Sequence, residues 1–343
     1  MSIKDILEKL TKANGVSGDE FEASEVAANM LKEYFEDAAV DDFGNVTASL
    51  KCTNSQKPTI LLDAHIDEIG FAVTYITDDG FLKLGACGGI DNRILAAQQV
   101  TVLGKEKLCG VITSIPPHLS KGEKNTQKLD DVYVDIGMSK EQAEKYVSLG
   151  DRVVIENDLT EMTGDIVTAK ALDDRSGVAV ILRALELVSK KLKNNELAFN
   201  VCVSFSISEE LGLRGAKMTA ERVMPDYAVA VDVSYALTSH DKPDYCGIMG
   251  KGGMIGVSPS LSRKLSDAMI KLAQDNNIPY QIEVMSGKTG TNADVIGLAG
   301  AGVRTSTLSI PLRYMHTPVE TLSLSDIENS AQLIAKLLET GVA

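Results

Sequence analysis

The sequence predicts an α/β protein in which a small β-rich domain interrupts a larger domain of alternating strands and helices. Segments with helix and strand character alternate over residues 1–68 and again over residues 164–343. Between them, residues 69–163 contain short β-rich segments separated by turn signals such as Asp79-Gly80. The length of 343 residues is at the upper limit for a single domain, so two domains are expected.

The first 68 residues predict helices followed by one buried strand. Ser17 and Glu20 have the spacing of a capping box, which predicts that a helix begins just after them. Farther along, an apolar run at residues 59–62 leads into Asp63-Ala64-His65. Such a run is typical of a buried strand, and it places His65 at the strand's C-terminal end.

Residues 69–163 predict a compact β domain. The segments at 70–76, 100–103, 132–136 and 152–155 are short and rich in β-branched residues. We therefore expect a small β-barrel-like, PDZ-like insertion.

The alternation returns after residue 164. Strands are predicted at residues 198–206, 228–233, 280–284 and 305–310, and helices at 176–188, 261–274 and 325–338. Ser325 and Glu328 have capping-box spacing at the start of the last helix. Strands alternating with helices imply a mostly parallel sheet covered on both faces, so residues 1–68 and 164–343 are expected to form an αβα sandwich.

Charge and composition exclude several classes of protein. The chain has 34 Lys and Arg against 48 Asp and Glu, a net charge of −14, which disfavours nucleic-acid and anionic-membrane partners. It has no signal-peptide pattern and no run of the ~20 apolar residues that a membrane helix needs. Five scattered cysteines without a CxxC motif predict reduced thiols and a cytoplasmic location.

Five groups of polar residues lie at or near the ends of predicted strands, where α/β sheets bind ligands. His65 and Asp67 are two residues apart, so in extended backbone both face one side; a surface histidine beside acids is an equally good interpretation. Asp173 precedes a helix and, taken alone, is better explained as a helix cap than as a metal ligand.

Glu209 and Glu210 follow an apolar strand. One could ligate a metal while the other reaches the bound water, and a neighbouring acid would raise the pKa of a general base; a solvated acidic loop is the alternative. Asp232 ends another apolar run, where it is either a ligand or a buried capping carboxylate. His316 is followed by Pro318, which stiffens the turn as a preorganised ligand requires.

Together these groups supply two histidines and several carboxylates without a cysteine. That donor set suits a pair of divalent cations such as Zn²⁺ or Co²⁺, with Mn²⁺ also acceptable. Two such cations about 3.5–4 Å apart can hold a hydroxide between them and polarise a carbonyl. The remaining histidines, His118 and His240, are better explained by loop packing and by an exposed turn.

The sequence resembles the glutamyl/tetrahedral (TET) aminopeptidase family of cocatalytic dinuclear metallopeptidases. The segments that carry the resemblance occur in the family's order along nearly the whole chain: AHIDEIGF, GGIDNR, PPHL, ALDDRSG, EELGLRGA, VDV and RYMHTPVE. The resemblance implies removal of N-terminal amino acids from peptides. It also implies that the β-rich insertion builds dimers, which assemble in many members into a tetrahedral dodecamer.

The resemblance also implies a role for each site residue. Asp173 would bridge both metals, His65 and Asp232 would complete one site, and Glu210 and His316 the other. Glu209 would be the general base and acid, and Asp67 would orient His65. The chain departs from the family at Ser208, Gly253 and Asn292, and the last two put substrate specificity in doubt.

Three other functions compete with this interpretation. Some relatives are labelled endoglucanases, but sugar-binding grooves use aromatic platforms, and this chain is 5% aromatic with no Trp. A deacylase or dipeptidase could use the same kind of metal site. A non-catalytic binding protein would not need both the ligands and the base.

Overall fold

The protein is described by a computed structural model that covers residues 1–49, 56–116, 118 and 128–342. The fold consists of an eight-stranded sheet flanked by helices, a closed six-stranded barrel and a separate three-stranded sheet. This mixed α/β architecture with a barrel confirms the predicted fold class.

The α-helices of the described ranges are α1 (Ile3–Lys12), α2 (Phe21–Leu31), α3 (Lys140–Tyr146), α4 (Leu172–Lys193), α5 (Arg214–Val223), α6 (Arg263–Asp275), α7 (Ala293–Ile296) and α8 (Leu324–Thr340). Among them there is none with both the length and the apolar character needed to span a bilayer.

The strands fall into three groups. Those of the large sheet are β1 (Ala39–Val40), β2 (Val46–Ala48), β3 (Thr59–His65), β12 (Asn200–Ser206), β13 (Tyr227–Tyr235), β14 (Gly253–Val257), β15 (Tyr280–Val284) and β16 (Arg304–Leu312). Those of the barrel are β4 (Gly70–Ile76), β5 (Leu82–Cys87), β6 (Gln99–Leu103), β7 (Lys107–Ile112), β8 (Tyr133–Asp135) and β9 (Arg152–Ile155). Those of the small sheet are β10 (Thr160–Glu161), β11 (Ile166–Ala169) and β17 (Glu320–Ser323).

The centre of the large sheet is parallel. Its strand order is β1-β2-β12-β3-β13-β16-β14-β15, and β12, β3, β13 and β16 all run in one direction. The register places Ser206 opposite His65 and Asp232 opposite Ser309. Because parallel strands end at the same edge, the polar residues after β3, β12 and β13 meet there.

Alternation along β3 builds a core on each face of the sheet. Ile60 and Leu62 pack into a large cluster that includes residues of α1, α4 and α8, whereas Leu61 packs with alanines of α5 on the opposite face. Helices therefore cover both faces, which confirms the αβα sandwich.

The barrel has its own apolar interior, centred on Phe71, Val102 and Val134. Its strand order is β4-β5-β8-β7-β6-β9. The barrel strands extend from Gly70 to Ile155, while β10 pairs with β11 in the small sheet. The division of the chain at residues 69 and 163 stays a prediction.

Neither predicted capping box forms. The hydroxyl of Ser17 donates to Asp67 at 2.6 Å, and Glu20 accepts hydrogen bonds from Gly18 and Ser208, so both side chains point away from the first turn of α2. At the last helix, the backbone amide of Ser325 donates to Asp165 instead. Both Ser-to-Glu pairs have the spacing of a capping box, but these residues form hydrogen bonds with other parts of the fold instead of with the helix end.

Candidate metal centre

The carboxyl edge of the large sheet brings together every residue that the sequence predicted for the site. His65 is the last residue of β3, Asp232 lies near the end of β13, and Glu209 and Glu210 follow β12. Asp173 comes from the start of α4, and His316 from the loop between β16 and β17. His65, Asp173 and Asp232 are at most 7% exposed.

Asp173 lies between the two histidines. Its Oδ1 is 3.0 Å from Nε2 of His65, and its Oδ2 is 3.4 Å from Nε2 of His316. Each of its oxygens therefore faces a different imidazole. A carboxylate in this position could bridge two cations.

Two three-residue groups share Asp173. In the first, Nε2 of His65 also lies 3.9 Å from Oδ1 of Asp232. In the second, Nε2 of His316 lies 3.1 Å from Oε1 of Glu210. Within each group, one ligand atom per residue lies within 4.8 Å of the others.

Glu209 occupies a third group with His65 and Glu210, within the same 4.8 Å limit. Its carboxylate therefore lies beside the two groups that share Asp173. That is where a proton acceptor would reach a water molecule held between them.

Asp67 is completely buried and contacts both the imidazole ring of His65 and the backbone amides of the paired glutamates. Its carboxylate accepts hydrogen bonds from the amides of Glu209 (3.0 Å) and Glu210 (3.2 Å). Nδ1 of His65 lies 3.1 Å from the Asp67 carbonyl oxygen and 3.4 Å from its carboxylate. Asp67 thus contacts both the imidazole and the loop that carries the paired glutamates.

The carboxylates of the centre differ in pKa. Burial, reinforced by the nearby acids Asp232, Glu210 and Asp173, raises the pKa of Glu209 to about 9. Burial raises the pKa of Asp232 to about 8, with the negative charge of Asp173 adding to the effect. Both groups would hold protons at neutral pH unless a cation offset the loss of solvation.

Asp173 behaves in the opposite way. Burial alone would raise its pKa, but hydrogen bonds with His316 and His65 outweigh that and hold the pKa well below its usual range. Hydrogen bonds to Asp173 and Glu210 raise the pKa of His316 to about 11. The pKa of His65 is also raised, because Asp173 and Asp67 overcome the effect of burial.

The donor set fits divalent cations. Two imidazoles and four close carboxylates offer nitrogen and oxygen ligands, and no cysteine belongs to the described groups. Concentrating buried acids in this way is costly unless positive charge compensates them. The two histidines could compensate when protonated, and two bound cations would do so more fully.

Further buried acids, to which sequence reasoning assigned no role, surround these residues. Asp174 accepts a hydrogen bond from the amide of His65 at 3.2 Å. Glu320 accepts hydrogen bonds from the backbone amides of Asp173 and His316. Glu68 pairs with Lys170, its Oε2 2.9 Å from the ammonium nitrogen. Asp174, Glu320 and Glu68 all lie next to predicted ligands or in quoted motifs, which was the only available signal.

A cleft of about 470 Å³ opens over the centre. Its floor includes His65, Asp173 and Glu209, and its walls include Ser234 and Thr289. The cleft is large enough to admit part of a peptide beside the clustered acids.

A smaller cavity of about 30 Å³ is lined by Asp173, Glu210 and His316 together with Phe71 and Ile90 of the insertion. The barrel therefore forms one wall of the region around the centre.

The other two histidines lie outside these groups. His118 and His240 are both exposed, and neither belongs to a candidate metal group among the described residues. The assignment of the predicted chemistry to His65 and His316 is consistent with this placement.

A family model and curated proteins that match nearly the whole chain are all described as aminopeptidases. The family model of M42 glutamyl aminopeptidase matches residues 44–333. A putative aminopeptidase of Acetivibrio thermocellus is 36% identical over 97% of this chain and 98% of its own length. A lysyl aminopeptidase of Pyrococcus furiosus is 31% identical, over 98% of this chain and 96% of its own length.

Solved structures agree in fold. The TET1 peptidase of Pyrococcus horikoshii, described as assembling into a tetrahedron or a large octahedral shell, superposes with a TM-score of 0.87 at 35% identity, covering 99% of this chain and 100% of that one. A Thermotoga maritima protein described as an endoglucanase superposes with a TM-score of 0.78 at 28% identity, covering 98% of this chain and 97% of that one.

Proposed function

Because the chain belongs to the M42 glutamyl aminopeptidase family, we propose that it is a metal-dependent aminopeptidase that removes N-terminal amino acids from peptides. The observation that carries this proposal is the position of Asp173, whose two carboxylate oxygens face His65 and His316. A shared carboxylate between two ligand groups suits a hydrolase with two cations.

The residues present would hold two divalent cations per chain, Zn²⁺ or Co²⁺, with Mn²⁺ also acceptable to these ligands. His65 and Asp232 would bind one, Glu210 and His316 the other, and Asp173 both. When bound, such cations polarise a carbonyl and lower the pKa of water.

Glu209 is the proposed general base and acid. Its carboxylate lies beside the two ligand groups, and its pKa is raised in the metal-free centre. Bound cations would lower that pKa, so that Glu209 could accept a proton from water and return it to the leaving amine. Asp67 orients His65 and also accepts hydrogen bonds from the amides of Glu209 and Glu210. It therefore fixes the position of the proposed base, Glu209, relative to the proposed ligand His65.

The proposed substrate is a peptide with a free N-terminus. A free amine would be attracted to a cation held by these residues, and the cleft above the centre has room for the first residue. A blocked N-terminus would lose that attraction.

The test is a panel of aminoacyl-p-nitroanilides and short peptides, assayed with added Zn²⁺, Co²⁺ or Mn²⁺. Each peptide is paired with its N-acetylated form, and carboxymethylcellulose is the carbohydrate control. We expect sequential release of N-terminal residues from free peptides only. Cleavage of acetylated substrates would indicate a deacylase, activity on dipeptides alone a dipeptidase, and cellulose hydrolysis without peptide release a glycosidase.

Glycoside hydrolysis is the second candidate because one structural relative is described as an endoglucanase. The cleft offers little support for it. Tyr235 is the only aromatic residue among the described residues that line the cleft, whereas sugar-binding grooves rely on several such platforms.

We also propose that the chain forms a homo-oligomer built from dimers, with the barrel as the dimerisation domain and a tetrahedral dodecamer as the final assembly. The description of the Pyrococcus horikoshii relative as assembling into a tetrahedron supports the oligomer, and the role of the barrel follows from the family resemblance alone. Light scattering after size-exclusion chromatography would distinguish a dodecamer from a dimer.

A further inference from the structure

We propose that Glu320 is a positioning residue of the metal centre: its carboxylate holds the backbone amides of Asp173 and His316 and thereby sets the separation of these two ligands. This inference rests on the proposed metal-dependent function. Glu320 lies in the RYMHTPVE segment, four residues after His316.

The contact is bidentate. Oε1 of Glu320 accepts a hydrogen bond from the amide of His316 at 2.9 Å, and Oε2 accepts one from the amide of Asp173 at 3.0 Å. Glu320 is 2% exposed. One buried carboxylate therefore joins two predicted ligands, Asp173 and His316, that come from distant parts of the chain.

The two amides need this acceptor. His316 has φ of +62°, a left-handed conformation that histidine rarely adopts, and Asp173 has non-helical angles (φ −82°, ψ 104°) at the start of α4. Neither residue has the backbone angles of a regular helix or strand at this point, and both amides donate to a side chain. The Asp173 amide is buried and the His316 amide partly buried, and Glu320 is the acceptor for each.

Glu320 is itself anchored firmly. It is the first residue of β17 and pairs with Ala169 of β11, the strand that leads into Asp173. Its neighbour Thr321 forms a bridge with Arg313, which precedes the loop that carries His316. Both ligand loops thus leave the same small piece of sheet, and the carboxylate spans them at their base.

Asp326 provides a matched control. It is also fully buried, and its carboxylate accepts hydrogen bonds from the amides of Gly250 and Gly252, each at 2.7 Å. As in Glu320, one carboxylate accepts hydrogen bonds from two backbone amides. Neither glycine, however, is a predicted metal ligand. A purely structural effect should therefore appear equally in variants of both residues.

The experiment compares the full-length protein with Glu320→Gln and Asp326→Asn. Each amide side chain keeps one acceptor oxygen and replaces the other with an NH₂ group, which cannot accept a hydrogen bond. Zn²⁺ affinity is measured by competition with a chromophoric chelator, Co²⁺ coordination by visible absorption, and stability by thermal unfolding without metal.

We expect Glu320→Gln to lower the affinity for the second of two bound ions by 10- to 100-fold and to change the visible absorption spectrum of bound Co²⁺. Asp326→Asn should lower the melting temperature comparably but leave both metal readouts at their wild-type values. Glu320→Asp, which keeps the charge but is one methylene shorter, should weaken metal binding in the same direction and serves if the glutamine variant does not fold.

Wild-type metal affinity and spectrum in Glu320→Gln would overturn the inference, as would equal weakening of metal binding in Asp326→Asn. Failure of the wild-type protein to bind any divalent cation is a different result. It would overturn the proposed function, and this inference with it.

Discussion

At the scale of single residues, two carboxylates near His65 have opposite properties. Burial outweighs the influence of His65 and raises the pKa of Glu209 to about 9. For Asp67, the hydrogen bond and the positive charge of His65, together with hydrogen bonds from Ser17 and from the amide of Glu209, overcome burial and lower the pKa. This difference suits a proton-accepting role for Glu209 and a permanently charged, orienting role for Asp67.

The first prediction concerns Glu209→Gln. The amide cannot take a proton from water, so turnover should fall by about 10²–10⁴-fold while two cations remain bound. Steady-state kinetics on the preferred substrate and elemental analysis of the same sample check this. Near-normal turnover would remove Glu209 as the base, and loss of metal would make it a ligand instead.

The second prediction concerns pH. The raised pKa values of His316 (about 11) and Asp232 (about 8) mean that both groups hold protons at pH 7 in the absence of cations. Ligands must lose these protons when a cation binds, so binding should release at least one proton and weaken as the pH falls. The apparent affinity should drop by about tenfold or more per pH unit between pH 7.5 and pH 6.

Calorimetric titration in buffers of different ionisation enthalpy measures the number of protons released. His316→Ala is the matched variant, since it removes one of the protonated ligands and should lower that number. A pH-independent affinity would contradict the assigned protonation states.

At the scale of elements, the segment before α2 forms hydrogen bonds with residues around the candidate centre instead of capping its own helix. Ser17 donates to Asp67, and Glu20 accepts from the amide and the hydroxyl of Ser208, the residue before the paired glutamates. A local capping bond at a helix end is exchanged for bonds that hold a functional loop. The capping-box prediction was wrong for this reason.

The turn after β5 approaches the centre closely from the barrel. A Cβ added at Gly89 would lie 2.9 Å from Nδ1 of His316, and one added at Gly88 would lie 3.1 Å from a carboxylate oxygen of Glu210. Gly88 also has φ of +87°, which favours glycine. This turn of the insertion therefore leaves no room for a side chain beside two predicted ligands.

The third prediction is that Gly89→Ala weakens metal binding. Its methyl group should displace the His316 imidazole, so the ion held by His316 and Glu210 should bind about tenfold or more weakly than in the wild type. Chelator competition measures this, with differential scanning fluorimetry as the stability check.

Gly287→Ala is the control for Gly89→Ala, because a Cβ there meets nothing within 4 Å and its φ is not in the left-handed region. Metal affinity should be unchanged in that variant. Equal metal affinity in both variants would show that the turn tolerates a side chain beside His316.

At the scale of the whole molecule, part of the net charge of −14 is concentrated at one edge of the sheet. Besides the predicted site acids, buried Asp174 and Glu320 have pKa values raised well above their usual range, mainly by burial and then by neighbouring acids. Burying acids together costs stability, and bound cations would offset that cost more fully than protonation or the two histidines do.

The fourth prediction is that chelation destabilises the protein. A cation at 100 times its dissociation constant contributes about 2.7 kcal/mol per site. Removal of metal with EDTA should therefore lower the melting temperature by several degrees, and added Zn²⁺ or Co²⁺ should restore it. His316→Ala should show a smaller EDTA effect, whereas an identical effect would place the stabilising ion elsewhere.

Much of the fold could be predicted because its signals are local. The apolar run that leads to His65 forms β3, and the run before Glu209 forms β12. A continuous apolar segment of that length is typical of a fully buried strand. The short β segments became the barrel. Strands β5 and β7 and helix α3 were not predicted, because their patterns are weak without their barrel partners.

The candidate site divides in the same way. Residue type and position near the ends of strands and helices made candidates of His65, Asp173, Glu209, Glu210, Asp232 and His316, because together they form a metal-binding donor set. Each had a plain alternative by itself, the family resemblance supplied the individual roles, and those roles stay predictions. Glu320 could not be selected in this way. Its role depends on two backbone amides from distant loops, and no spacing along the chain encodes that meeting.

The sequence by itself determined the α/β class, the inserted β domain and the donor set, since periodicity, strand ends and side-chain chemistry are properties of short segments. Only the tertiary structure decided which oxygen of Asp173 faces which histidine, where Ser17 and Glu20 direct their hydrogen bonds, and how closely Gly89 approaches His316. Those facts depend on long-range packing, in which partners far apart in the chain compete for the same polar groups.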